Sequence, residues 1–218
     1  MKHLDVPKSG SMQSTTASRN RFGQYLRSRS TPVNVGSAAQ GVVRSRMSQN
    51  AAAWRALTDV QRVGWEALGP SITRTGSLGE SYTLTGFMAY CLVNNNNLAA
   101  GNAVVAAAPA LSTPAAITTV TLTLTAAAFS IAYTATPLAA GTRIFAFASP
   151  QRSAGRSYEG DFRLIAVSAA AAASPMVLTT SYAARLGTPV VGNRIFLSLT
   201  TYLAGFQSAP FLLNQVVA

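Results

Sequence analysis

Cysteine, histidine, lysine and acidic side chains are all scarce in this sequence, and each scarcity excludes a class of function. A single cysteine, Cys91, leaves no intrachain disulfide. One histidine, His3, together with Cys91 and six acids (Asp5, Asp59, Glu66, Glu80, Glu159, Asp161) falls short of the ligand set that a zinc or other transition-metal site gathers. A Ser-His-Asp or Cys-His nucleophile would have to use His3, which sits in a polar tail. The one close carboxylate pair, Glu159 and Asp161, flanks Gly160 among Arg152, Arg156 and Arg163. It reads as a surface ion-pair cluster rather than as the acid and base of a glycosidase. Neither a G-x-x-x-x-G-K-[ST] loop nor a strand–G-x-G-x-x-G–helix is present. The reading is of a chain with no enzymatic activity, no metal and no cofactor. Long apolar runs are missing too: nothing reaches the ~18 residues of a membrane span, and the alanine-rich stretches 103–111 and 169–173 are too short and too weak. The first thirty residues lack the apolar core of a secretory signal. A soluble, cytoplasmically made protein without membrane contact is expected.

What the chain does have is arginine and small polar residues. Its 218 residues suffice for one large domain or two small ones. Only 11% are charged, against roughly 25% in ordinary soluble domains. Ser, Thr, Asn and Gln therefore carry the polar surface, which points to partners covering much of it. The net charge is +11 and the pI about 10.9, and Lys2 and Lys8 are the only lysines. Arginine's planar fork suits carboxylate, phosphate and aromatic faces, so an anionic partner is implied, either nucleic acid or an acidic protein surface. Codon usage in a GC-rich genome is the alternative source of the Arg-over-Lys bias.

The organisation is α+β in several parts. Residues 1–36 read as an extended basic arm: Arg19, Arg21, Arg27 and Arg29 interleave with Phe22 and Tyr25, without a sustained period. Such a segment is either a solvated tail or an arm that orders on a partner, the latter favoured, and the mixture of cations with aromatics also suits nucleic acid. Residues 37–102 read as a small helical domain. Ser37 with Gln40, and Thr58 with Gln61, fit the S/T-x-x-E/Q capping box. Val43, Met47, Trp54 and Leu57, with Ala51 between, fall on one face of the first helix; Trp65 and Leu68 lie on the second, before Gly69-Pro70. An αα-hairpin holding both tryptophans follows, with Arg44 and Arg46 off its apolar face, where they extend the basic surface or simply face solvent. A short β-hairpin over 72–84 comes next, then a third helix capped by Thr85 with Phe87, Tyr90, Cys91 and Leu98 as core candidates. The run Asn94–Asn97 has three readings: a polar helix end, a low-complexity accident, or an amide set that bonds a neighbouring chain. Pro109 and Pro114 among alanines make 103–116 a linker. From 117 to 218 about seven short alternating strands (120–124, 129–133, 142–148, 162–167, 176–180, 193–202 and 209–217) predict an all-β immunoglobulin- or fibronectin type III-like sandwich.

The order from Arg19 through Pro32-Val-Asn34 to Gln40, Arg44, Trp54-Arg55-Ala-Leu57-Thr58, Gln61-Arg62 and Trp65, then Leu84-Thr-Gly86-Phe87 and Asn94, resembles a group of uncharacterised proteins of tailed phages and prophages, many with an added fibronectin-like domain. The resemblance covers roughly residues 19–101, and the β-part in outline. It departs where that group has Pro-Asn-Pro and this chain has Pro32-Val-Asn34-Val35. The resemblance implies a virion structural protein, multi-copy or homo-oligomeric on the particle. It would be most simply a minor capsid, cement or decoration subunit gripping the major capsid protein through Arg19, Arg21, Phe22, Tyr25, Arg27, Arg29, Arg44 and Arg46. A tail or fibre component, and a nucleic-acid-binding protein with those arginines on phosphates, are the alternatives.

Overall fold

Small hydroxyl residues bracketed by turns produce the first structure in the chain. Strands β1 (Gly10–Met12), β2 (Thr15–Asn20) and β3 (Gly23–Ser28) form an antiparallel meander in that order. The extended arm expected over 1–36 is therefore, in its described part, a sheet. Gln13 takes a left-handed φ of 50° in the turn before β2, and Gly23 a φ of 113° at the start of β3. The alternation of period two is present, but almost none of its residues is large and apolar, so hydropathy alone did not reveal it. This computed structural model describes residues 9–20, 23–30, 36–76, 79–134 and 138–218. The described residues up to Val42 belong to one compact unit and those from Val43 onward to a second. His3, Arg21, Phe22 and the segment 32–35 lie outside the described residues.

Both expected capping boxes form. Ser37 and Gln40 exchange bonds at the start of α1 (Ala38–Arg55), each 3.3 Å. Thr58 and Gln61 do so at α2 (Asp59–Leu68), at 2.9 and 3.3 Å. The pairing of helices differs from expectation. Val43 and Met47 are exposed, at 59% and 41%, and α1 meets the core only through its last turns. The helices that share a core are α2 and α3 (Gly86–Ala99). Between them run a single 3₁₀ turn (Gly69–Ser71) and the hairpin of β4 (Thr73–Thr75) with β5 (Ser81–Thr83). Gly86 makes the α2–α3 approach possible, because a Cβ there would lie 2.8 Å from the Glu66 backbone nitrogen. Tyr90 of α3 is fully buried and takes the edges of Trp65 and Trp54, with ring centroids at 5.1 and 5.3 Å. Thr85 caps α3 and Cys91 is buried as expected, whereas Phe87 and Leu98 stay partly open.

The remaining chain adds β6 (Thr119–Leu124), β7 (Phe129–Thr134), β8 (Arg143–Ala148), β9 (Arg152–Ser153), β10 (Arg163–Val167), β11 (Met176–Val177), α4 (Thr179–Leu186), β12 (Asn193–Leu203), β13 (Phe206–Gln207) and β14 (Phe211–Val216). Every expected strand position carries a strand, but the one over 176–180 is cut short. It ends at Val177 and the chain turns into α4. Leu178, Tyr182 and Leu186 are four apart, a helical spacing that packs all three into the β core. Tyr182 donates to the Ser149 carbonyl at 3.1 Å. The strands make two antiparallel sheets, β6-β7-β11 and β10-β8-β12-β14, with β9 and β13 as short additions on β12. One core fills the space between them: Leu124, Phe129 and Ile131 from the first sheet meet Ile144, Ile195 and Leu197 from the second.

The α and β parts interlock. Phe206 of β13 is buried in the helical core. Ala99 and Ala100 at the end of α3 cover Phe145 and Tyr202 on the outer face of the second sheet. The stretch 103–116 has no helix or strand, yet it is not a free tether. It accepts from Trp65 Nε1 at Ala106 (2.8 Å), exchanges two bonds with Asn94 at Val105, and accepts from Thr201 Oγ1 at Ala115 (2.6 Å).

Candidate partner-binding surface

Register decides what the basic residues of the meander can present. Ala17 pairs with Leu26, Arg19 with Gln24, and Met12 with Thr15, so these side chains share one face. Thr16 pairs with Arg27 and Ser18 with Tyr25, which puts Tyr25 and Arg27 together on the other. The structure thus separates Arg19 from Tyr25 and Arg27. Arg29 follows β3 and its backbone N–H donates to the Ser14 carbonyl at 2.7 Å. Arg19, Arg27 and Arg29 are exposed and Tyr25 is half-buried. On the Arg19 face Met12 is 74% exposed and Leu26 39%; they line a hollow of about 370 Å³ with Ala17 and Thr15. Arg44 and Arg46 stand on α1, two residues apart and so on different sides of it. Val43 and Met47, one turn apart on the same helix, are exposed. From residue 6 to residue 58 the chain holds Lys8 and seven arginines and no acid.

A second polar cluster, the Glu159 loop, behaves otherwise. The expected ion-pair cluster forms, but Glu159 within it is buried, at 5% exposure, rather than at the surface. Its carboxylate takes the Arg152 guanidinium and the backbone N–H groups of Gly160 and Asp161 at 2.9 and 3.0 Å, with Arg156 at 3.5 Å. These donors, led by the Asp161 N–H, lower its pKa from 4.5 to about 2. Both oxygens are committed, so the group holds the loop in shape and has no proton to exchange near neutrality. Asp161 pairs with Arg163 at 3.1 Å. Among the described residues no three His, Cys, Asp or Glu side chains gather as a metal site, and no helix is long and apolar enough to cross a membrane.

The asparagine run is a clasp within the chain. Asn94 donates to the Val105 carbonyl (3.2 Å) and accepts its N–H (2.8 Å); Asn95 accepts from Asn50 (2.9 Å). Asn96 donates to the Gly205 carbonyl (2.7 Å) and accepts from Gln207 (3.0 Å). Asn97 accepts from the Tyr202 hydroxyl (2.5 Å), which itself accepts from Asn102 (2.9 Å). Four consecutive residues on a helix face four directions, and each direction here holds a different segment.

No protein-family model, curated protein or solved structure matches this chain.

The surface left for a partner therefore rests on geometry. Arg19 with Met12 and Leu26, Tyr25 with Arg27, and Val43 and Met47 with Arg44 and Arg46 each set positive charge beside apolar or aromatic surface. Sequence reasoning found these cations but missed the sheet that sorts them into faces. The local signal it could have used is the turn at Gln13 and the glycine at Gly23, between short stretches rich in Ser and Thr.

Proposed function

We propose that the protein is a non-enzymatic structural subunit of a tailed-phage virion, a head accessory protein of the decoration or cement kind. The observation that carries this reading is the acid-free N-terminal stretch. A thin three-stranded sheet with apolar residues open on one face and a Tyr-Arg pair on the other has too little core to stand by itself, and an acidic subunit surface would cover both needs at once. The resemblance of residues 19–101 to phage and prophage proteins points the same way. We read the β-part as a fibronectin type III-like sandwich. The strand orders β6-β7-β11 and β10-β8-β12-β14, with the chain crossing between sheets after β7, after β10 and after α4, support that reading. It would serve as the outward module.

Deletion of residues 1–36 tests the proposal. The truncated chain is expected to stay folded and to fail to incorporate into particles; normal incorporation would overturn the role of the N-terminal unit. Electron microscopy of labelled particles is expected to place the protein on the head, and regular label on the tail would move the same parts to a tail role. Tyr25 beside Arg27 favours one other reading, stacking and phosphate contact with nucleic acid. That reading requires binding to DNA or RNA that falls steeply with salt.

A further inference from the structure

Eight arginines lie between residues 59 and 218, and seven are engaged within the chain. Arg62 bonds Asp59 and the Arg55 carbonyl; Arg143 the Ser168 carbonyl; Arg152 and Arg156 hold Glu159; Arg163 pairs with Asp161. Arg185 bonds the Leu164 carbonyl and Arg194 the Arg156 carbonyl. Arg74 is the exception: among the described residues its guanidinium has no hydrogen bond and no ion pair. It stands on β4 and lines a cleft of about 280 Å³ formed by β4, α3, β13 and residues 111–113.

The cleft is built for more than a solvated cation. Its lining is mainly polar and includes the apolar side chains of Leu92 and the buried Phe206. The Asn96–Gln207 amide pair, bonded at 3.0 Å with Asn96 also donating to the Gly205 carbonyl, is part of the lining. Ser71, Ser112 and Thr113 also line the cleft, and among the described residues none of their hydroxyls has a hydrogen bond. A guanidinium, several uncommitted hydroxyls and the apolar side chains of Leu92 and Phe206 match a carboxylate side chain together with its flanking peptide units. No second cation lines the cleft, which disfavours a phosphate dianion.

We propose that this cleft binds an acidic peptide segment of a partner protein, with the partner's carboxylate on Arg74 and its backbone on the hydroxyl walls. The proposal rests on the reading of the protein as one that grips acidic subunits, and it gives that grip a second, separate point on the body from Val43 onward. Two contacts on one partner would raise the effective strength of both.

The test uses the full chain, labelled with ¹⁵N, titrated with the blocked peptide Ala-Ala-Glu-Ala-Ala, its Gln counterpart, and inorganic phosphate. The Glu peptide is expected to shift the amides of residues 71–75, 96 and 111–113. The Gln peptide, and the variant Arg74→Gln with the Glu peptide, are each expected to bind about tenfold more weakly, as loss of a charge-assisted hydrogen bond implies. Arg74 is exposed, so the variant's spectrum away from the cleft should match the parent and certify its fold. Absence of shifts at the cleft, equal binding of the Gln peptide, unchanged binding by the variant, or a stronger response to phosphate each overturns the proposal. Failure here with normal incorporation into particles removes only the cleft; peptide binding without incorporation removes the virion reading and leaves the cleft standing.

Discussion

Tyr90 places a phenolic hydroxyl at the centre of the helical core, between Trp54 and Trp65, with no partner for it among the described residues. Burial raises its pKa, with Cys91 adding to the effect. A buried hydroxyl without a partner costs about 1–3 kcal/mol, so Tyr90→Phe should keep the ring packing and raise stability by up to about that amount. Urea unfolding of the two proteins checks this, and a loss of stability would mean the hydroxyl has a partner, such as an internal water. Glu159 is the opposite case, a buried polar group with every oxygen satisfied. Its pKa is lowered from 4.5 to about 2 in the folded chain, so the folded state favours the ionised form. The stability it contributes is fully present above pH 4.5 and is lost as the pH falls from there toward 2. Thermal unfolding followed across that window should show Glu159→Gln with a shallower acid-side decline than the parent, and parallel curves would contradict the assignment.

Among the elements, the β12–β13 turn is the most exacting. Gly205 takes a φ of 90° and an added Cβ would overlap the Val93 side chain on α3. Its carbonyl also accepts from Asn96. Gly205→Ala should therefore cost about 2 kcal/mol or more, from backbone strain and from the displaced helix contact. A melting temperature unchanged from the parent would show that α3 and the turn can separate freely. The same logic explains the pairing of helices. Trp65 and Leu68 are three apart on α2 and face Tyr90 of α3 across a contact that Gly86 keeps open, whereas the α1 face carries Asn50 between Met47 and Trp54 and is held to α3 by a hydrogen bond from Asn50 to Asn95.

At the scale of the whole molecule, the body from Val43 to Ala218 should unfold as one. Phe206 belongs to the helical core and Ala99 and Ala100 to the outer face of a β-sheet, so neither part can open without exposing the other's apolar surface. Both tryptophans lie in the helical part, so tryptophan fluorescence reports the helices while far-ultraviolet circular dichroism includes the sheets. The two transitions in urea should coincide. Separate midpoints would mean independent domains joined by a true linker at 103–116.

Local signals were strong enough to be read from the chain alone where a single residue or a short period sets the outcome. The capping boxes at Ser37 and Thr58, the stop at Gly69-Pro70, the Thr85 cap and the strand positions of the β-part are of this kind, since each depends on hydrogen bonds or alternation within a few residues. The shortage of metal ligands and the basic charge are equally properties of composition. The tertiary structure decided what depends on partners distant in sequence. The meander at 10–28 is held by backbone ladders that leave no hydropathy signature. Glu159 became a buried staple because its loop folds back on Arg152. Asn94–Asn97 became a clasp because α3 lies against 105, 202 and 205–207, and nothing in four identical side chains records which segments they will meet. Arg74 is without a partner among the described residues for the same reason: pairing is a matter of which groups the fold brings within reach, and the cleft that Arg74 lines holds hydroxyls, amides, Leu92 and Phe206.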